Sequence, residues 1–151
     1  MGQAHEDTVT IRRATFDDLS TRVAYALWRL RSEVFVVEQA CAYLDLDGRD
    51  LEPGTVHIWA EADGTVVGAL RVMTEADGWR IGRVVVAADH RSAGLGARLM
   101  REALTLVGAE PCVLDAQAHL ERWYAAFGFA ATGPQFVEDG IPHVPMALPR
   151  P

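Results

Sequence analysis

The sequence predicts an α/β fold, one mixed β-sheet flanked by helices, with elements in the order β-α-β-β-β-α-β-α-β-β. Three observations carry this reading. Strand-like runs at 56–61 and 66–73 meet at Asp63-Gly64, a strong hairpin signal. Helical spacing over 94–107 is followed by the short, bounded apolar run 112–116, as expected of a buried parallel strand reached by a crossover. The length of 151 residues suits one compact domain able to bury a core.

Taken in order, 9–13 alternates and reads as the first strand. Thr15 is placed to cap a helix with Asp17 and Asp18 in its first turn, running with Leu27, Leu30 and Val34 at helical spacing to about Glu38. From Ala40 to Gly54 the chain is acidic and turn-rich, with Asp45, Asp47 and Asp50, and reads as a mobile loop. The hairpin follows, then Asp77-Gly78 turns the chain into a third strand of the meander, 79–86. The helix 94–107 carries Leu95, Leu99, Ala103 and Leu106 as its apolar stripe. A last helix, 120–127, stops at Gly128, and 129–148 holds two further short strands around Glu138-Asp139-Gly140. The expected organisation is a single domain at 8–149 behind a flexible tail at 1–7.

Composition narrows the chemistry. The net charge of −7 argues against a nucleic-acid partner, since phosphate backbones demand a basic surface. All 14 basic residues are arginine, so the chain has neither a Schiff-base lysine nor the lysine of a nucleotide-binding P-loop. No apolar run is long enough to cross a bilayer and the amino end lacks a signal-peptide layout, so the expectation is a cytoplasmic protein without a membrane partner. Cys41 and Cys112 form no CxxC pair, which argues against a disulfide framework or a zinc site; Cys112, opening an apolar run, reads as a buried thiol.

The most informative junction is strand 79–86, loop, then Arg91-Ser92-Ala93-Gly94-Leu95-Gly96 opening a helix. A helix amino terminus presents unpaired N–H groups and partial positive charge, a ready site for pyrophosphate. Gly94 and Gly96 would allow close backbone approach, and Arg91 adds a permanent charge. The spacing differs from a dinucleotide fingerprint, and by itself it also fits a plain strand-to-helix turn.

Together with Tyr124-Ala125-Ala126-Phe127-Gly128-Phe129, this junction resembles the GNAT superfamily of N-acetyltransferases: an Arg/Gln-x-x-Gly-x-Gly/Ala loop and a late Tyr-x-x-x-Gly-Phe signature. The segments 31–39 and 138–143 further resemble the ElaA-like branch, and the likeness runs from about Val9 to Leu148. It implies a central mixed, mostly antiparallel sheet flanked by helices. It also implies a metal-free acyl transfer in which an amine attacks acetyl-coenzyme A directly, within a ternary complex.

On this resemblance, the backbone of Val84, Val85 and Val86 contacts the pantetheine arm of coenzyme A. The loop Arg91, Ser92, Ala93, Gly94, Leu95, Gly96 and Ala97 takes the pyrophosphate, with Arg98 nearby. Gln117 stands where relatives often carry a donor-contacting asparagine. Tyr124 matches the residue that protonates or hydrogen-bonds the departing thiolate; without the motif it would read as a core tyrosine. Glu33, Glu38, His119 and His143 are candidates for the base that takes the amine proton. Arg83 stands where some relatives place a glutamate base, and an acidic substrate group would suit it. The acceptor is a small-molecule or peptide amine, and an exposed terminal strand could pair with a second copy into a homodimer. Two other readings stay open: a coenzyme A-binding regulatory module without turnover, and an enzyme like the acyl-homoserine lactone synthases.

Overall fold

The computed structural model describes residues 8–150, so the tail expected at 1–7 lies outside the described residues. An eight-stranded, mostly antiparallel sheet runs β1 (Val9–Thr15), β2 (Val56–Ala62), β3 (Thr65–Glu75), β4 (Gly78–Val86), β5 (Cys112–Gln117), β8 (Ile141–Ala147) and β6 (Ala130–Ala131); β7 (Phe136–Glu138) also pairs with β8. Among the described residues three α-helices flank it: α1 (Thr21–Arg31), α2 (Leu95–Val107) and α3 (Glu121–Ala125).

The meander β1 to β4 follows from its turns and its alternation. Ile58 and Ala60 pack into one core and Trp59 into another, so successive β2 residues serve opposite faces. The first core sits under α2, which buries Leu95, Leu99, Met100, Ala103 and Val107. Val107 rather than the expected Leu106 completes that stripe. The second core sits under α1, with Leu27 and Leu30 against Trp59, Ala69 and Val85. Each such aliphatic side chain, nearly solvent-free, contributes about 1.5–3 kcal/mol.

The first helix starts later than its sequence suggests. Thr15 ends β1, a 3₁₀ turn covers Phe16–Asp18, and the cap is Ser20, whose Oγ accepts the Val23 N–H at 3.1 Å. Past Arg31 the helix widens into a π-helix over Ser32–Glu38, a rare form found often at functional sites. Part of the acidic segment after it is ordered, with a 3₁₀ turn at Arg49–Leu51 and buried Asp45 and Asp50. The two-residue β6 is the strand the sequence did not announce.

One irregularity shapes the rest. The β3–β4 register shifts between Ala69 and Arg71, and Arg83, opposite the shift, has φ of 52°. Such a bulge bends its strand and increases the local twist. Beyond it β4 leaves β5: these parallel strands pair only at Trp79↔Cys112 and Arg80↔Val113. The sheet is therefore open on the β5 side of β4 from Ile81 onward.

Candidate active site

That gap widens into a cleft of about 650 Å³ between the end of β4, the amino end of α2, β5, α3 and the β7–β8 turn. Val84, Val85 and Val86 form one wall, with backbone groups on the β5 side that no strand pairs. Gly94, Gly96 and Ala97 form its floor, Tyr124 and Gln117 the opposite wall, and Glu38, His119 and His143 also line it. Ser92 and Ala93 sit on an exposed 3₁₀ turn, and the Leu95 side chain is buried in the core, so Leu95 can serve the cleft only through its backbone.

The amino end of α2 has no side-chain cap. The first N–H with an intrahelical acceptor is that of Arg98, to the Gly94 carbonyl at 3.2 Å, which leaves the amides of Leu95, Gly96 and Ala97 free for an anion. The two glycines have distinct causes. Gly94 adopts φ of +74°, a left-handed conformation that strains other residues. At Gly96 a Cβ would come within 3.0 Å of the Trp123 ring, so the glycine lets α3 pack against α2. Arg98 points away and donates to the Val9 carbonyl at 3.2 Å.

Tyr124 is 7 % exposed, in edge-on contact with Trp123 and Phe129 at ring separations of 4.9 and 6.5 Å. Burial pushes its phenol above the usual range, so the hydroxyl keeps its proton and is able to donate it. The candidate bases separate clearly. Glu33 lies outside the cleft lining, 3.8 Å from Arg29 on the same exposed helix face. Glu38 grips Arg91 through both carboxylate oxygens at 2.5 and 2.8 Å, and this hydrogen bonding holds its carboxyl below the ordinary range. His143 lies 2.7 Å through Nδ1 from the Ile141 carbonyl and stacks on Phe136 at 5.7 Å. A carbonyl only accepts, so Nδ1 is the donor in this contact, and in the neutral ring Nε2 is then the nitrogen with the lone pair. Gln117, paired with His143 across β5 and β8, donates to Gln39 Oε1 at 3.3 Å. Cys41 donates to the Asp139 carbonyl at 3.1 Å, and both cysteines are buried and free. Among the described residues there is no metal-binding group of three or more His, Cys, Asp or Glu, and no helix long and apolar enough to cross a membrane.

Into one side of the cleft reaches a feature that residue-by-residue reading did not find. Arg31, 2 % exposed, donates from Nε to Asp45 at 2.9 Å and from Nη1 and Nη2 to Asp50 at 2.7 and 3.1 Å. Arg71, 3 % exposed, donates to Asp47 at 2.9 and 2.6 Å and to Asp50 at 3.1 Å. Arg83, held in its strained conformation, brings Nε to 2.7 Å from Asp45 Oδ1 and donates to the Asp45 carbonyl at 3.0 Å. The three arginines and three aspartates cancel in charge. Arg83 is therefore already paired, and Asp45, Asp47 and Asp50 are neutralised by these arginines. Arg31 is legible in retrospect: it falls on the apolar stripe of α1, four residues after Leu27, where a lone charge demands a partner.

Comparison with known proteins places this arrangement in context. The family model of the acetyltransferase (GNAT) domain matches residues 24–149. The UPF0039 protein Rv2851c of Mycobacterium tuberculosis is 50% identical over 147 residues, covering 94% of each chain. The crystal structure of an acyl-CoA N-acyltransferase from Pseudomonas aeruginosa is 39% identical with a TM-score of 0.89, covering 94% of this chain and 100% of that one. Escherichia coli ElaA, also a crystal structure, is 35% identical with a TM-score of 0.88, covering 93% and 99% respectively.

Proposed function

Because the chain belongs to the GNAT acetyltransferase family, with ElaA and UPF0039 proteins among its relatives, we propose that it transfers an acyl group, acetyl in the first instance, from acyl-coenzyme A to a primary amine. The observation that carries this is the convergence of an unpaired strand edge, an uncapped helix terminus and a protonated tyrosine on one cleft. These residues fit a coenzyme A donor. The β4 edge at Val84–Val86, unpaired by β5 although the Val86 carbonyl accepts from Arg91, suits the amides of a pantetheine arm, and the free amides of Leu95, Gly96 and Ala97 suit a pyrophosphate.

When bound, the thioester supplies an activated acyl carbon. The chain's own residues supply position and protons. Tyr124 carries on its oxygen the proton a departing thiolate needs, and its walls of Trp123 and Phe129 keep water away. His143, with Nε2 free, is the base we assign for the amine proton, directly or through one water. Glu33 does not line the cleft, and in the donor-free cleft Glu38 is paired with Arg91. Gln117 orients the donor from β5.

Release of free thiol from acetyl-coenzyme A tests the proposal, across a panel of polyamines, amino acids, aminoglycosides and peptides. At least one amine is expected to raise thiol release well above the rate without acceptor. Tight coenzyme A binding with no thiol release from any acceptor would contradict it and favour a regulatory coenzyme A-binding module.

A further inference from the structure

The contact between Glu38 and Arg91 joins two sides of the cleft. Glu38 closes the π-helical turn and Arg91 stands just beyond the end of β4, beside the free amides of α2. Arg91 is held at three points: its Nη1 and Nη2 on the two Glu38 oxygens at 2.5 and 2.8 Å, and its Nε on the Val86 carbonyl at 3.0 Å. The bidentate pair is neutral, so it cancels the charge of Arg91 where the helix end would receive an anion. The other arginines of the cleft are committed elsewhere: Arg71 to Asp47 and buried Asp50, Arg83 to buried Asp45, Arg49 and Arg80 to Glu75.

The pairs differ in how easily they part. Separating Arg71 from Asp50 would strand two buried charges. Arg91 and Glu38 have side chains 41 % and 44 % exposed, so both stay hydrated when separated and exchange of partner costs little. A pyrophosphate offers the guanidinium more charge and more acceptor oxygens than one carboxylate.

We propose that Glu38 is an internal anion that occupies Arg91 until the pyrophosphate of a coenzyme A donor displaces it, so that Glu38 sets donor affinity and becomes an unpaired carboxylate in the cleft only with donor bound. The proposal rests on the reading of this cleft as a coenzyme A site. Its function would be to order the sequence of binding: the donor neutralises Arg91 first, and the released carboxylate then favours a cationic amine.

Calorimetric titration of coenzyme A into the wild type, Glu38→Gln, Arg91→Ala and the double variant tests it, with thermal melting to check that each variant is folded. Glu38→Gln is expected to bind about two- to five-fold more tightly, the scale of an exposed ion pair. Arg91→Ala is expected to bind more weakly, and adding Glu38→Gln to it should change nothing further. Weaker binding by Glu38→Gln would overturn the proposal and make Glu38 a residue that positions Arg91. An equal gain without Arg91 would also overturn it, by reducing the effect to charge repulsion. Binding indifferent to Glu38 would overturn this inference while leaving the donor site intact; no binding by any of the four proteins would overturn both.

Discussion

Tyr124→Phe is expected to lower kcat by about 10²-fold or more while leaving coenzyme A affinity within about two-fold of wild type. The substitution removes one oxygen and keeps the ring, whose edge-on contacts with Trp123 and Phe129 hold it in place. The fold and the donor wall are therefore retained, and only the proton is lost. Because burial raises the phenol above its usual range, the proton is present throughout the neutral and mildly alkaline range. Steady-state thiol release and calorimetry on the same preparations give the two numbers. A variant with undiminished kcat would reduce Tyr124 to a core residue.

The second large effect concerns stability. Asp50→Ala should cost about 3–5 kcal/mol, because it leaves Arg31 and Arg71 buried without a carboxylate they share. Urea unfolding measures it directly; a loss below about 1 kcal/mol would show that solvent or neighbouring acids replace the missing charge. The same carboxylates set the acid limit of the fold. Burial pushes Asp50 up, but the hydrogen bonds and charges of Arg31 and Arg71 outweigh it, and the Arg71 hydrogen bond likewise holds Asp47 low. Groups with folded values below the ordinary 3.8 add stability that is complete above that pH and lost as pH falls through the lowered values.

How far the sequence alone reached depended on the range of the interactions. The β2–β3 hairpin, β4 and α2 were legible because their signals are local: a turn dipeptide, a period of two, a period of 3.6. The loop from Arg91 to Gly96 was legible as a helix start, and its place beside Val84–Val86 and Tyr124 followed from the family resemblance. The reasons for its glycines were not, since Gly96 answers to Trp123 in a helix 27 residues further on. The acidic segment was read by composition as a mobile loop. Its aspartates are in fact fixed by arginines 14 to 38 residues away, contacts that no local pattern encodes. The pairing of Glu38 with Arg91, 53 residues apart, was hidden for the same reason. The displaced start of α1 was a closer contest: Thr15 and Ser20 both suit a cap, and the extension of β1 along β2 to Thr15↔Val56 decides for Ser20.

The central claim is that the gap between β4 and β5, together with the uncapped end of α2, is the donor site. Amide hydrogen exchange with and without coenzyme A tests it most directly. The expected result is protection concentrated at Val84 to Val86 and Leu95 to Ala97. Protection absent from both stretches, or gathered instead in the shallow groove of Val9, Ile11, Arg98 and Arg101 between β1 and α2, would contradict it.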